Sequence, residues 1–295
     1  MTWLAAAVTS WPPLVTWCFR RRKYYSRPLP SWELAELNSS QAKVHGFDVE
    51  RSQGAHLVLI GAGGLGSTAA HMLSRKGIGH MTVLDDDRVE LKNLTRQLFS
   101  KGDIGRNKAF ALGKRLTHDG LFALRMDACA MRFQELLEAK PSLLDGTDVW
   151  LALVDNDRTR HDACVEALKR KKPVICVALA RDATSLYCAI QEPGRACLGC
   201  VRRNIAEPSG EYPCNLPGIN DIVMIAAGLA VYAVDTLLSG RDRCWNYRTL
   251  RLDGSMPERC EMVERNPSCR LCGIQRSEGS DARGASDRIA EGAST

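Results

Sequence analysis

The sequence predicts an α/β fold built on a doubly wound, mostly parallel sheet, and three observations carry that prediction. Short apolar runs recur along the chain: HLVLI (56–60), HMTVL (80–84), FALRM (122–126), VWLALV (149–154), VICVAL (174–179) and SLYCAI (185–190). Runs of this length ending at turn residues are the mark of buried parallel strands. The earlier ones alternate with segments of helical periodicity at 66–76, 105–117 and 157–171, the alternation that winds helices over both faces of a sheet. From about residue 185 the strands follow one another across turn residues such as Pro193-Gly194, which predicts an antiparallel C-terminal extension.

At 295 residues the chain suits two domains, or one large domain with appendages. Hydrophobic residues make up 45% and charged residues 25%, the proportions of a globular protein, which excludes collagen-like and wholly disordered chains. The net charge of +6 suits phosphate-bearing ligands or an acidic protein surface and is too small to predict nucleic-acid binding.

At the N-terminus, residues 1–19 are apolar but broken by Pro12-Pro13, and the basic run Arg20-Arg21-Arg22-Lys23 follows them. A secretory signal carries its charge ahead of the apolar stretch, and a membrane span is unbroken. Residues 1–45 are therefore expected to be a partly disordered extension, 46–275 the folded domain and 276–295 a disordered, Ser- and Gly-rich tail. The uncharged stretch IVMIAAGLAVYAV between Asp221 and Asp235 is too short for a span and predicts a helix buried in the body or in a dimer interface.

The first apolar run ends in Gly61-Ala62-Gly63-Gly64-Leu65-Gly66, a G-x-G-x-x-G loop between strand and helix. This makes the expected sheet Rossmann-like. Gly61, Gly63, Gly64 and Gly66 permit a tight turn and close approach of backbone to phosphate, with the helix N-terminus aimed at the anion. Asp85, about 20 residues on, ends the next strand, where a carboxylate accepts bonds from ribose hydroxyls. These features define an adenine nucleotide without choosing among NAD, FAD and ATP.

The next segment, DDDRVELKNLTRQLFSKGDIGRNKA (85–109), turns the reading toward ATP. Asn93, Arg96 and Gln97 precede Asp103-Ile104-Gly105, and Lys108 opens a helix. An Arg and a Lys converging on one nucleotide hold a triphosphate and offset charge at its α-phosphorus. A nicotinamide- or flavin-dependent oxidoreductase shares the glycine loop but leaves this polar run, and Asp155 in VDNDRTR, without a role.

On these residues the chain resembles the ThiF/MoeB/HesA family, the adenylating fold shared with ubiquitin-activating enzymes, over about residues 46–275. The resemblance implies ATP-dependent adenylation of the C-terminal Gly-Gly carboxylate of a ubiquitin-like or sulfur-carrier protein, releasing pyrophosphate. It implies that Asp85 and Asp87 hold ribose or metal, that Asn93, Arg96 and Lys108 bind and polarise the phosphates, and that Asp155, beside Asn156, holds Mg²⁺. A homodimer, and a downstream conjugating enzyme or sulfur donor, are implied as partners. One feature departs from the pattern: close relatives donate an arginine across the dimer from just before a G-F-D-like segment, and here Ser40 falls at that place. Arg51 is the nearest basic alternative, with Lys43 a second. A tRNA- or small-molecule-modifying relative of the same fold and a degenerate, scaffolding one remain alternatives. An anionic carboxylate needs no general base, so none of the six histidines falls in these motifs; His56 and His80 open strands and are expected to be structural.

Of the twelve cysteines, Cys164, Cys176 and Cys188 lie in apolar runs as small hydrophobes. Cys197-x-x-Cys200 and Cys269-x-x-Cys272 have the spacing of a four-thiolate structural zinc site, which would pin the C-terminal segment to the body. Neither pair is expected to open a helix after a strand, which argues against thioredoxin-like chemistry. Reduced, metal-binding cysteines predict a cytoplasmic protein. Cys214, in the loop EYPCNLPGIN, is the candidate nucleophile for thioester or sulfur transfer, since a thiolate attacks an acyl-adenylate readily.

Overall fold

The computed structural model describes residues 20–180, 183–202, 205 and 218–273. Nine strands form one sheet: β1 (Arg21–Tyr25), β2 (His56–Ile60), β3 (His80–Leu84), β4 (Arg125–Cys129), β5 (Val149–Ala152), β6 (Val174–Leu179), β7 (Ser185–Gln191), β8 (Tyr247–Arg251) and β9 (Arg259–Glu261). Their spatial order is β1-β4-β3-β2-β5-β6-β7-β8-β9. Strands β4, β3, β2, β5 and β6 run parallel, while β1 and the C-terminal strands pair antiparallel. The sheet is thus evenly mixed rather than mostly parallel, because β1, β8 and β9 carry charges that an apolar-run reading passes over.

Helices cover both faces. On one lie α2 (Val49–Gly54), α3 (Gly64–Arg75), α4 (Lys108–His118) and the long α8 (Asn220–Ser239); on the other lie α5 (Phe133–Ala139), α6 (Asp157–Lys169) and the single turn α7 (Leu198–Val201). Helix α1 (Ser31–Gln41) buries no residue and meets the end of α3, where Gln41 Nε2 donates to the Arg75 carbonyl. Alternate strand residues feed the two cores. Leu57 and Leu59 of β2 face α3 and α8, and Val58 and Ile60 face α5 and α6. Helix α8 is the one described helix long and apolar enough to cross a membrane, but most of it is buried. Its Ala226, Ala227 and Ala230 pack in the core with no exposure, and Gly240 ends it in the left-handed conformation.

Two boundaries differ from expectation. The basic run placed in the N-terminal extension forms β1, paired residue by residue from Arg21↔Cys129 to Tyr25↔Arg125. Lysine and arginine on an edge strand discourage further strand addition. The expected strand 122–126 is shifted to Arg125–Cys129, which places Asp127 inside the sheet at 1% exposure. Burial alone would raise that carboxyl. Hydrogen bonds from His80 and Arg21, and the charges of Arg21 and Arg125, hold it well below the usual range instead. His56 and His80 do open β2 and β3. Their rings stack at 3.5 Å, and burial followed by the neighbouring His80 lowers His56 to about 4, so it sits there neutral.

Candidate active site

The strand order reverses between β2 and β5, so their C-terminal ends open a crevice, the position where such sheets bind ligands. The glycine loop stands there because β2 delivers it. Gly61 adopts φ +100°, and a Cβ on it would meet the Leu153 carbonyl at 2.8 Å, which locks the loop against the segment after β5. A Cβ at Gly66 would lie 1.9 Å from the Gly61 carbonyl, so glycine is required for α3 to pack this closely. Gly63, which precedes α3, faces open space, leaving the free N–H groups of the first helical turn open to an anion.

Asp85 closes the loop from β3. Its Oδ2 accepts from Ala62 N–H at 2.7 Å and its Oδ1 from Asp87 N–H at 2.9 Å. Burial pushes its carboxyl up to about 6, against the pull of the Lys108 charge and these N–H groups. Lys108, 7% exposed, donates to Asp87 Oδ2 at 2.7 Å. The pairing aims an otherwise buried ammonium at the crevice. Asn107 holds both aspartate turns through the carbonyls of Asp85 (2.8 Å) and Asp87 (3.0 Å) while its own Oδ1 caps α4. Sequence reasoning passed over Asn107, although an Asn just before a helix-opening Lys is an N-cap signal.

Asn93 is 5% exposed and its Oδ1 accepts from Glu90 N–H at 2.9 Å, bracing the one-turn Leu91–Asn93 helix. Arg96 projects from the following turn, and its backbone carbonyl would lie 3.3 Å from a Cβ on Gly64. Gln97 is buried, and among the described residues its Oε1 has no hydrogen-bond partner. The polar run therefore does return to the glycine loop.

Asp155 lies beyond β5, exposed, and among the described residues its carboxylate accepts no hydrogen bond. Such a free, hard oxygen donor fits Mg²⁺. Asn156 is turned to another task, capping α6 through Thr159 N–H at 2.8 Å. Asp85, Asp86 and Asp87 also bring their carboxylates within 4.8 Å of one another. Within its own chain neither substitute for the missing arginine reaches this crevice, as donation across a dimer would require: Arg51 lines a cavity of about 450 Å³ with Asp148 and Val149 at the opposite ends of the strands, and Lys43 is exposed near the end of α1.

A second cluster lies beyond β7. Sγ of Cys197 is 3.7 Å from Cys200 and 3.5 Å from Cys269, and Cys200 is 3.6 Å from Cys272. Zinc with Zn–S bonds of about 2.3 Å needs tetrahedral edges of about 3.8 Å, so the four sulfurs could hold one ion. Burial and the three neighbouring sulfurs push the Cys197 thiol up. Burial pushes Cys269 the same way, but backbone N–H groups of Cys272 and Leu271 outweigh it and lower the thiol. Contrary to expectation Cys197 does open a short helix, α7, after β7, yet its sulfur faces three others rather than one. Cys214 lies outside the described residues, as does the tail 276–295.

Fold and crevice together have the architecture of an α/β nucleotide-binding enzyme, with basic and acidic groups gathered near the glycine loop. The sequence profile of the ThiF family matches residues 38–271, and the chain belongs to that family. It is 26% identical over 239 residues (79% of this chain, 94% of the relative) to the molybdopterin-synthase adenylyltransferase of Escherichia coli K12. It is 29% identical over 223 residues (74% and 86%) to the sulfur carrier protein ThiS adenylyltransferase of the same organism. Among solved structures it resembles E. coli MccB crystallised with ATP, at TM-score 0.62 and 20% identity over 76% of this chain and 68% of that one, a likeness of fold. The chain is an ATP-dependent adenylyltransferase.

Proposed function

We propose that the protein adenylates the C-terminal carboxylate of a ubiquitin-like or sulfur-carrier protein ending in Gly-Gly. The observation that carries this reading is the convergence, at the β2/β5 switch point, of the open Gly63 backbone, the aimed Lys108 and the unpartnered Asp155. The relatives named as acting on sulfur-carrier and molybdopterin-synthase systems support the substrate class.

In this reading the glycine loop and α3 N–H groups hold the phosphates, Asp85 takes the ribose, and Arg96 and Lys108 neutralise the α-phosphate. The incoming carboxylate attacks the α-phosphorus in line; the new P–O bond forms as the α–β bridging bond breaks, and pyrophosphate leaves with its electron pair. Mg²⁺ on Asp155 would supply charge neutralisation between the two anions. No proton needs to move, because the nucleophile is ionised at neutral pH. The four cysteines would hold a closed structural zinc. The Cys214 thiolate would then attack the acyl carbonyl of the adenylate, forming a thioester as the bond to AMP breaks and AMP leaves; Gly218, the first described residue after it, lies beside the Arg96 side chain, which supports this reading. Ile225 and Tyr232, 41% and 47% exposed on α8, offer apolar surface to a second copy, in keeping with a homodimer.

Labelled-pyrophosphate exchange into ATP, with a Gly-Gly-ended carrier present, tests the reading. Asp155→Ala and Arg96→Ala should lose most exchange while remaining folded. Exchange at the parental rate in both would overturn the assigned site.

A further inference from the structure

Arg160, in the first turn of α6, is 4% exposed, a rare place for a guanidinium unless it is fully paired. Its Nη1 donates to Asp157 Oδ1 at 2.6 Å and its Nη2 to the backbone carbonyl of Val154. Those two acceptors flank Asp155. Between them Asn156 is fixed by capping α6. The segment 154–157 is therefore tied at Val154, Asn156 and Asp157, and among the described residues the exposed Asp155 side chain is the one polar side chain of the four with no hydrogen-bond partner.

A buried ion pair is weak evidence for a stabilising role. A buried charge loses hydration, which an apolar side chain of the same length would avoid, and among the described residues Arg160 Nε has no hydrogen-bond partner. A planar fork with two separate donors is what a two-point clamp requires; an ammonium offers one point charge.

We propose that Arg160 is a positioning residue that fixes the direction of the Asp155 carboxylate toward the divalent cation of bound nucleotide. The inference rests on the metal role given to Asp155 above. It deepens that role by assigning the loop's rigidity to one buried side chain. The Asp155 loop is also pressed against Gly61 through Leu153, so Arg160 sets the spacing between the cation side of the crevice and its phosphate side.

Mn²⁺ binding to the full-length protein saturated with α,β-methylene-ATP, followed by electron paramagnetic resonance, reads this without turnover. Partners that orient a metal ligand typically govern its affinity by about 10- to 100-fold. Arg160→Lys keeps the charge and one contact but cannot span both acceptors, and it should weaken Mn²⁺ binding by about tenfold or more. Metal-free nucleotide affinity and far-UV circular dichroism should stay at parental values. In exchange assays the KM for Mg²⁺ should rise while the KM for ATP does not. Arg160→Met, which fills the space without donors, should behave as Arg160→Lys does or worse; if it fails to fold, the lysine variant carries the test. Parental Mn²⁺ affinity in Arg160→Lys, with Asp155→Asn weakened, would refute the clamp and leave the site reading intact. Parental affinity in Asp155→Asn would overturn the metal assignment itself, and the clamp with it.

Discussion

Asp85 gives the sharpest test of how the nucleotide crevice is built, because its two roles conflict. Its carboxylate accepts from Ala62 and Asp87 N–H groups, yet burial raises it to about 6 from an ordinary 3.8. The sign follows from proton binding. Between these values the native state holds a proton that the unfolded chain releases, so stability from this group is present at low pH and is lost as pH rises through 6. At about 1.4 kcal/mol per pKa unit, the ionised carboxylate costs the fold about 3 kcal/mol at pH 8, and about half as much at pH 5. Asp85→Asn removes the charge, keeps one carbonyl oxygen for Ala62 N–H and leaves Asp87 N–H facing an amide, a loss of about 1 kcal/mol.

The variant should therefore be more stable than the parent by about 2 kcal/mol at pH 8, and by clearly less at pH 5. It should also bind ATP poorly if Asp85 holds the ribose. Urea denaturation of both proteins at the two pH values measures the difference, and groups that titrate identically in both cancel. A variant no more stable than the parent at pH 8, or a difference that does not shrink toward pH 5, would falsify the account of a carboxylate held ionised against burial.

Two further outcomes concern the cysteines. Freshly reduced protein should contain about one zinc per chain, and Cys272→Ser should lose it together with several degrees of thermal stability, as metal binding is linked to folding; metal analysis finding none in the parent would remove the zinc assignment. Cys214→Ala should spare pyrophosphate exchange but abolish a thiol-sensitive enzyme–carrier adduct on non-reducing gels, and an adduct that persisted would point to another cysteine.

The parts of the fold that were legible in the sequence are those whose physics is local. The glycine loop, Asp85 at a strand end and the two cysteine pairs each announce a function through residue type and spacing. What escaped depends on partners distant in sequence. Arg21–Tyr25 reads as a solvated basic run until Asp127 and the edge of β4 are present to receive it. Asp127 looks like the end of a strand because its cost is offset only by Arg21, His80 and Arg125, which come from three different strands. Strands β8 and β9, YRTLR and RCE, lack apolar runs; β8 becomes a strand on the free edge of β7, and β9 on the edge that β8 then offers. Arg160 was hidden for another reason: five consecutive polar residues, Asp155 to Thr159, precede it, and nothing in that run says which side chain turns inward.

The two clusters are connected through the chain between them. Cys197 and Cys200 follow β7, while Cys269 and Cys272 follow β9, so the four sulfurs close a long excursion that contains Cys214, α8, β8 and β9. Closing a long loop removes more unfolded-state freedom than closing a short one, but here the geometry matters more than the entropy. Asn266 N–H reaches Cys200 Sγ at 3.4 Å, and Gly273 N–H returns to the Cys269 carbonyl at 2.6 Å. A Cβ on Gly273 would lie 2.5 Å from that carbonyl, so the knuckle tolerates no side chain. The stretch carrying Cys214 therefore leaves from a fixed point at Cys200. It rejoins the body at Gly218, against Arg96, just ahead of a helix whose Ile222 and Val223 are buried. One end is held by the sulfur cluster and the other lies against Arg96 and Val223. If Cys214 is the transfer nucleophile, loosening the sulfur cluster with Cys272→Ser should lower the enzyme–carrier adduct on non-reducing gels before it lowers pyrophosphate exchange.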